Sequence, residues 1–139
     1  MLRLLRLSLP LLLLVFIIGC DEEQDDLVDT SQNSIEDIDD KASFDTAIAS
    51  GVSAVFFHAS WCTTCAAQRP AFEATAGRGE TSAGRFIEVE FEDNPAIVDA
   101  YAVGGFPTIV VFKDGAEVDR FTGAGHAEQE LVDAVVAAF

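Results

Sequence analysis

From Lys41 to the C-terminus, short apolar runs alternate with stretches in which apolar residues recur at helical spacing. The predicted strands are Val52–His58, Arg85–Phe91, Thr108–Phe112 and Val118–Thr122, with a short additional strand around Ile35 and Ile38. The predicted helices begin at Ser43, Cys62, Asn94 and Ala127 and end near Gly51, Arg78, Tyr101 and Phe139. Strands that alternate with helices favour an α/β fold: a mixed sheet of four or five strands with helices on both faces.

Local signals mark where several of these elements begin, bend and turn. Ser43 is a favoured residue type for a helix N-cap, and Pro70 predicts a kink inside the second helix. Asp114-Gly115 is a strong signal for a two-residue hairpin turn. In the last helix, four apolar side chains are predicted to face the core: Leu131, Val132, Val135 and Val136.

The start of the chain has the pattern of a targeting segment. Arg3 and Arg6 precede or border Leu7–Gly19, an uncharged and mostly apolar run that is too short to span a bilayer. This pattern predicts a signal peptide over residues 1–19. The sequence Ile-Ile-Gly-Cys, which ends at Cys20, resembles the bacterial lipoprotein box. The resemblance implies a lipid on the sulfur of Cys20; an ordinary signal peptide or a membrane anchor with an incidental cysteine is the alternative.

Acidic residues are concentrated directly after that cysteine. The sequence has 24 Asp and Glu against 8 Lys and Arg, and ten of the acids lie in residues 21–40 without any basic residue. This composition predicts a flexible acidic tether over residues 20–40 and a folded domain over residues 41–139. It excludes nucleic acid as a partner, because phosphate binding needs basic patches. The charge serves solubility or recognition of a specific basic partner.

Two cysteines follow the strand Val52–His58 in the sequence Trp-Cys-Thr-Thr-Cys, residues 61–65. Cys62 begins a predicted helix, where free N–H groups and the helix dipole stabilise a thiolate and lower a thiol pKa below about 8.5. This thiolate attacks a substrate disulfide, and Cys65, one turn deeper, resolves the mixed disulfide. Zinc and haem sites use similar spacing, but the sequence lacks the further ligands that they need. We expect a redox-active Cys62–Cys65 disulfide, no metal and no bound organic cofactor.

Residues 42–139 resemble the thioredoxin family in several blocks at close to the family's spacing. These blocks are Ser43-Phe44-Asp45, Ala59-Ser60-Trp61-Cys62, Pro70, Asn94-Pro95, Tyr101–Thr108, Phe112-Lys113-Asp114-Gly115 and Gly123. The resemblance implies a thioredoxin fold and a cis peptide bond between Phe106 and Pro107. It also implies that Pro107 lies near Cys62 and that the Phe106 backbone pairs with an extended substrate segment. Trp61 is expected to be an exposed platform for substrate, the alternative being packing against the helix.

The sequence departs from the thioredoxin family at positions that tune the cysteines. Thr63 and Thr64 replace the usual Gly-Pro between them, and neither side chain carries a charge that would strongly stabilise a thiolate. A strong oxidant needs a stabilised reduced form, so this favours a reductase or isomerase. Phe56 occupies the position of the family's buried Asp, which accepts a proton from the second cysteine. Glu88 is the candidate substitute, unless it simply reaches solvent.

His58 stands where many family members have Trp, and it either influences Cys62 and proton movement or only fills space at the strand end. His126 is expected to be a surface residue at the start of the last helix.

The sequence therefore predicts a monomeric, lipid-anchored thiol–disulfide oxidoreductase of the bacterial cell envelope, facing the periplasm or the exterior. Asp21, directly after Cys20, is typical of inner-membrane retention in enteric-type bacteria. The expected partners are protein thiols and disulfides of the envelope, with a membrane thiol electron donor if the protein reduces. A redox-inactive binding or chaperone module with the same fold is the alternative. A purely structural disulfide is disfavoured, because so short a loop stabilises little.

Overall fold

The strand segments form one five-stranded sheet in the computed structural model, which describes residues 33–139. In chain order the strands are β1 (Ile35–Asp37), β2 (Val52–His58), β3 (Arg85–Glu90), β4 (Thr108–Lys113) and β5 (Ala116–Thr122). Their order across the sheet is β1-β3-β2-β4-β5. The first three are parallel, whereas β4 runs antiparallel to β2 and β5 runs antiparallel to β4. The prediction of a mixed sheet is confirmed.

Four helices cover the two faces of this sheet, as predicted. They are α1 (Lys41–Ile48), α2 (Thr63–Ala76), α3 (Pro95–Ala100) and α4 (Glu128–Ala137), and a 3₁₀ turn, Gly79–Thr81, follows α2. Helices α1 and α3 share one hydrophobic cluster with the sheet, and α2 and α4 share the other. Pro70 lies inside α2, and Pro95 is at the first position of α3, where its missing N–H costs no hydrogen bond.

The central strand β2 explains how one apolar run supplies both cores. Val55 and Phe57 point into the cluster of α1 and α3, while Ala54 and Phe56 point into the cluster of α2 and α4. Since both faces are covered, every residue from Val52 to Phe57 is buried. Full burial of an aromatic side chain such as Phe56 stabilises the fold by roughly 1.5–3 kcal/mol.

The start of the folded region differs from the prediction in two respects. Helix α1 begins at Lys41 with Asp40 as its N-cap, whose carboxylate accepts the Ser43 N–H at 2.9 Å, so the prediction of Ser43 as the cap is wrong. Strand β1 pairs with β3, Ile35 lying opposite Phe86. The folded region therefore extends upstream of the predicted boundary at residue 41, and the expected first strand is present.

The hairpin between β4 and β5 turns at Asp114-Gly115, as predicted. Both residues have positive φ, 49° and 81°, which a two-residue turn of this kind requires. The Gly51 N–H donates to the Asp114 carboxylate at 2.8 Å, and the Asp114 N–H donates to the Gly51 carbonyl at 2.9 Å. These two bonds fasten the hairpin turn to the start of β2.

Helix α4 buries three of its four predicted core residues, Leu131, Val132 and Val135. Val136 is instead 43% exposed, so its predicted inward orientation is wrong. The helix presents a narrower stripe to the sheet than its four predicted core positions suggested.

The predicted signal peptide, Cys20 and the tether up to residue 32 lie outside the described residues. Within residues 33–139, no helix has the length and apolar character needed to cross a membrane.

Candidate active site

The two cysteines of the Cys-Thr-Thr-Cys sequence lie at the N-terminus of α2, where they form a disulfide. Cys62 is the N-cap of the helix, and its sulfur accepts the Cys65 N–H at 3.1 Å. The Thr64 hydroxyl lies 3.4 Å from the same sulfur. Cys62 is 7% exposed and Cys65 3% exposed, so the first cysteine is nearer to solvent. This arrangement gives the Cys62 sulfur donors that stabilise a thiolate once the disulfide is reduced.

An aromatic surface borders the disulfide. Trp61 is 63% exposed, and its ring packs edge-on against Phe106 with 6.3 Å between the centroids. Phe106 in turn contacts Phe91, at 5.1 Å between centroids. The Phe106–Pro107 peptide bond is cis, as the family resemblance implied, and the Pro107 carbonyl accepts the Gly123 N–H at 2.8 Å. The structure thus brings Trp61 and the Phe106–Pro107 segment together, and Trp61 is exposed rather than packed away.

His58, at the end of β2, lies between two carboxylates of the neighbouring strand. Its Nδ1 is 2.9 Å from Glu90 Oε2, and its Nε2 is 3.6 Å from Glu88 Oε2. Burial lowers the pKa of His58, and the positive charge of Arg69 lowers it further, against the opposing effect of Glu88 and Asp37. Histidine at this position therefore tends to be neutral.

Glu90 and Glu92 both bind the segment that leads to the cysteines. The Ser60 N–H donates to Glu90 Oε1 at 2.9 Å and to Glu92 Oε2 at 3.3 Å, and the Ser60 hydroxyl donates to Glu92 Oε2 at 2.7 Å. Burial, followed by the nearby Glu92 carboxylate, raises the pKa of Glu90. The hydrogen bond from Ser60 lowers the pKa of Glu92. Of the two carboxylates, Glu90 is therefore the one that holds a proton more readily.

A cavity of about 210 Å³ lies beside the disulfide, and of the two β3 carboxylates Glu88 and Glu90 only Glu90 lines it. Its lining residues are His58, Ala59, Ser60, Cys62, Cys65, Ala66, Arg69 and Glu90. Glu88, the acid singled out from the sequence, instead pairs with Arg69 Nη1 at 2.5 Å. The Arg69 guanidinium also lies 5.3 Å from the ring centroid of Phe56, the residue at the family's buried Asp position. Among the described residues, Glu90 is thus the β3 carboxylate in the same cavity as Cys65.

The sequence pointed to Glu88 as the candidate acid and did not single out Glu90. The signal that identifies it is the parallel register of the sheet, in which His58 lies opposite Glu90 and Phe56 lies opposite Glu88. That register can be aligned from the sequence only once β2 and β3 are known to be neighbours.

Gln68, one turn beyond Cys65 in α2, is a second residue that the sequence did not reveal. It is 1% exposed and makes three hydrogen bonds to the loop before α4. Its Oε1 accepts the N–H groups of Gly125 and His126 at 2.8 and 3.0 Å, and its Nε2 donates to the His126 carbonyl at 2.9 Å. Gln68 thereby fixes the loop that contains Gly123 against the cysteine helix. His126, expected at the surface, lies two residues before α4 and is half-buried, with its ring against Phe121.

The model of the thioredoxin family matches residues 36–137 of the chain. The protein belongs to the thioredoxin family. A thioredoxin of Staphylococcus epidermidis is 39% identical over 80 residues, covering 58% of this chain and 76% of that protein. A thioredoxin of Chlamydia caviae is 38% identical over 80 residues, with the same coverage. The structure of a Malassezia sympodialis thioredoxin superposes with a TM-score of 0.68 at 25% identity, covering 76% of this chain and 90% of that one.

Family membership and the Cys62–Cys65 disulfide make this protein a thiol–disulfide oxidoreductase with an α/β thioredoxin fold. Thioredoxins act on protein disulfides with their own cysteines and use no cofactor. Within residues 33–139, no three His, Cys, Asp or Glu side chains are grouped so that they could hold a metal ion. The predicted fold and enzyme class are confirmed.

Proposed function

We propose that this protein exchanges disulfides with proteins outside the cytoplasm while a lipid on Cys20 holds it at a membrane. The observation that supports exchange is a disulfide at a helix N-terminus beside an exposed aromatic residue, Trp61. The location is supported by the sequence alone: Arg3 and Arg6, the apolar run Leu7–Gly19 and the lipoprotein-like residues that end at Cys20. Asp21 favours retention at the inner membrane, with the domain facing the periplasm or the exterior.

Protein substrates would bind along the surface formed by Trp61 and the Phe106–Pro107 segment. The exposed indole offers a large apolar contact next to the Cys62 sulfur, and the backbone of Phe106 offers pairing to an extended chain. Trp61→Ala should raise KM for a protein disulfide such as insulin and leave the reaction with a small aromatic disulfide nearly unchanged. An equal loss for both substrates would contradict a role in protein binding.

The direction of exchange is proposed to be reduction or isomerisation. Thr63 and Thr64 supply no charge to the cysteines, and a strong oxidant requires a strongly stabilised dithiol. Equilibration with glutathione measures the potential. A value near the roughly −270 mV of thioredoxins supports a reductase, whereas one near roughly −120 mV, typical of a strongly oxidising periplasmic protein, contradicts it. A reductase outside the cytoplasm also requires a membrane thiol donor, because the compartment itself supplies no electrons.

The membrane location is tested by comparing the full chain with Cys20→Ser in a bacterial host. The unchanged chain should incorporate a labelled fatty acid and fractionate with membranes, and the variant should lose the label. Two acyl chains anchor firmly, whereas none leaves the domain free to wash off after signal cleavage. Equal labelling of both proteins, or an unlabelled wild type, would overturn the lipid anchor without affecting the exchange proposal.

One observation favours a second function, a binding or chaperone module without redox activity. Phe56 fills the site of the acid that serves the second cysteine in the family, and it is fully buried. The reduction of insulin by dithiothreitol discriminates between the two functions. An exchanger accelerates the reduction and loses this activity in Cys62→Ser, whereas a pure binding module accelerates it in neither form.

A further inference from the structure

The exchange reaction requires that Cys65 lose its proton inside the protein. Cys65 is 3% exposed, so a base in bulk solvent has little access to its thiol. Phe56 cannot accept a proton, although it occupies the position where the family has an acid. Another group close to the second cysteine must therefore receive the proton, or resolution of the mixed disulfide is slow near neutral pH.

Besides the cysteines, three titratable side chains line the 210 Å³ cavity, His58, Arg69 and Glu90, and two of them contact each other as an acid–base pair. They are His58 and Glu90, joined through Nδ1 and Oε2 at 2.9 Å. The cavity has room for water, which can connect the sulfur to either group. The Ser60 N–H holds the other oxygen of Glu90 at 2.9 Å, so the carboxylate is fixed in place.

We propose that the His58–Glu90 pair accepts the proton of Cys65 during resolution of the mixed disulfide, the task that the buried acid performs in the family. This inference rests on the exchange activity of the proposed function and is independent of the membrane location. It assigns the role to a pair of residues that meet across two parallel strands, rather than to Glu88.

The step balances as follows. Cys62 is joined to a substrate sulfur, and the Cys65 thiol transfers its proton to the pair. The Cys65 thiolate attacks the Cys62 sulfur; the Cys62–Cys65 bond forms while the Cys62–substrate bond breaks. The electron pair leaves on the substrate sulfur, which takes up a proton. The protein dithiol is oxidised by two electrons, and the substrate disulfide is reduced to two thiols.

The charges around the pair suit a proton acceptor. Helix α2 contributes Arg69, β3 contributes Glu88 beside Nε2, the turn after β3 contributes Glu92 beside Glu90, and β1 contributes Asp37. Burial lowers the pKa of His58 and raises the pKa of Glu90, so the affinities of the two groups for a proton approach each other. Because the two groups are in contact they titrate as a pair, and either of them can hold the transferred proton.

A reaction with 5,5′-dithiobis(2-nitrobenzoate) in a stopped-flow instrument separates the two chemical steps. The reduced protein releases one thionitrobenzoate when Cys62 attacks, at a rate proportional to the reagent concentration. A second thionitrobenzoate is released when Cys65 resolves the mixed disulfide, at a rate independent of that concentration. The first phase reports Cys62 and the integrity of the fold, and the second reports the proposed proton transfer.

In His58→Phe and Glu90→Gln, the second phase should slow by roughly 100-fold near neutral pH, the lower end of the range for general-base catalysis. The rate should recover as the pH rises past about 8.5, where a thiol ionises without help. The first phase should change by less than about threefold. Glu90→Gln is the conservative variant, because its amide oxygen still accepts the Ser60 N–H.

Glu73→Gln provides the charge-matched control, since this exposed carboxylate lies 3.8 Å from Arg69 and its loss removes the same charge. Its second phase should match the wild type. Equal slowing of both phases in the His58 and Glu90 variants, or a wild-type pH profile in both, would overturn the proposal. A shifted profile in Glu88→Gln alone would make Glu88 the acceptor instead. A wild type without any first phase would contradict the exchange function itself.

Discussion

The sulfur of Cys62 accepts the backbone N–H of Cys65, so the nucleophile is also the cap of the helix that carries its partner. A single atom therefore serves folding and chemistry together. Removing the atom should remove both contributions, whereas replacing it with another hydrogen-bond acceptor should restore only the cap.

Cys62→Ser and Cys62→Ala should both abolish the reduction of insulin. In the presence of reductant, however, Cys62→Ser should be more stable than Cys62→Ala by about 1 kcal/mol, because serine is a good N-cap and alanine is not. Urea denaturation measures this difference. If the two variants have equal stability, the sulfur does not cap the helix to any useful extent.

Thr64→Val should make the reduction potential more negative by about 10–30 mV. Its hydroxyl lies 3.4 Å from the Cys62 sulfur, and loss of a hydrogen bond worth about 0.5–1.5 kcal/mol destabilises the reduced thiolate form. Equilibration with glutathione measures the change. Thr63→Val is the matched control, and a shift of the same size there would show that the effect comes from the dipeptide in general.

Gln68→Met should lower the free energy of unfolding by about 1–3 kcal/mol, because it leaves the part-buried backbone groups of Gly125 and His126 without their side-chain partner. Hydrogen exchange should also become faster at the amides of Gly125 and His126. Gln129→Met, an exposed change in α4, should alter the stability by less than about 0.5 kcal/mol. Unchanged exchange at both amides would show that Gln68 does not hold this loop.

The only tyrosine of the sequence, Tyr101, should make the folded state sensitive to alkali. Burial, together with a 2.9 Å hydrogen bond donated to Asp45, raises the pKa of Tyr101 to about 12. Unfolded tyrosine ionises near 10, so the folded state holds this proton more tightly. The free energy of unfolding should then fall as the pH rises from about 10 to about 12.

Tyr101→Phe should flatten that decline, as measured by urea denaturation of both proteins across this pH range. Because no other tyrosine contributes, the ultraviolet absorbance of phenolate follows Tyr101 directly in the wild type. Parallel stability curves for the two proteins would refute the prediction.

Most of the fold could be predicted from the sequence, because apolar runs and turn residues along the chain specify the same strands and turns that the fold contains. The run Val52–His58 matches β2 residue for residue, and Asp114-Gly115 turns the hairpin as expected. Two predictions failed: the cap of α1 is Asp40, three residues before Ser43, and one apolar residue of α4 is not in the core. Val136 has the character of a core residue, but the narrow contact of α4 with the sheet leaves it exposed.

The parts of the site that consist of residues close together in sequence could be predicted. The cysteine pair and the exposed Trp61 follow from consecutive residues, and the cis-proline loop follows from the family resemblance. The choice between Glu88 and Glu90 could not be made, because it depends on how β2 and β3 align and on which carboxylate Arg69 engages. The role of Gln68 could not be predicted for the same reason, since its hydrogen-bond partners lie more than 50 residues away in sequence.

Strand β1 enters the sheet beside the beginning of β3, whereas the cysteines follow the far ends of the strands, where His58 lies opposite Glu90. The point at which the upstream chain joins the domain is thus at the opposite pole from the reactive sulfur. Tags, linkers or immobilisation surfaces attached ahead of Asn33 leave the catalytic end unobstructed, so a protein coupled through its N-terminus should turn over large substrates as fast as the free one.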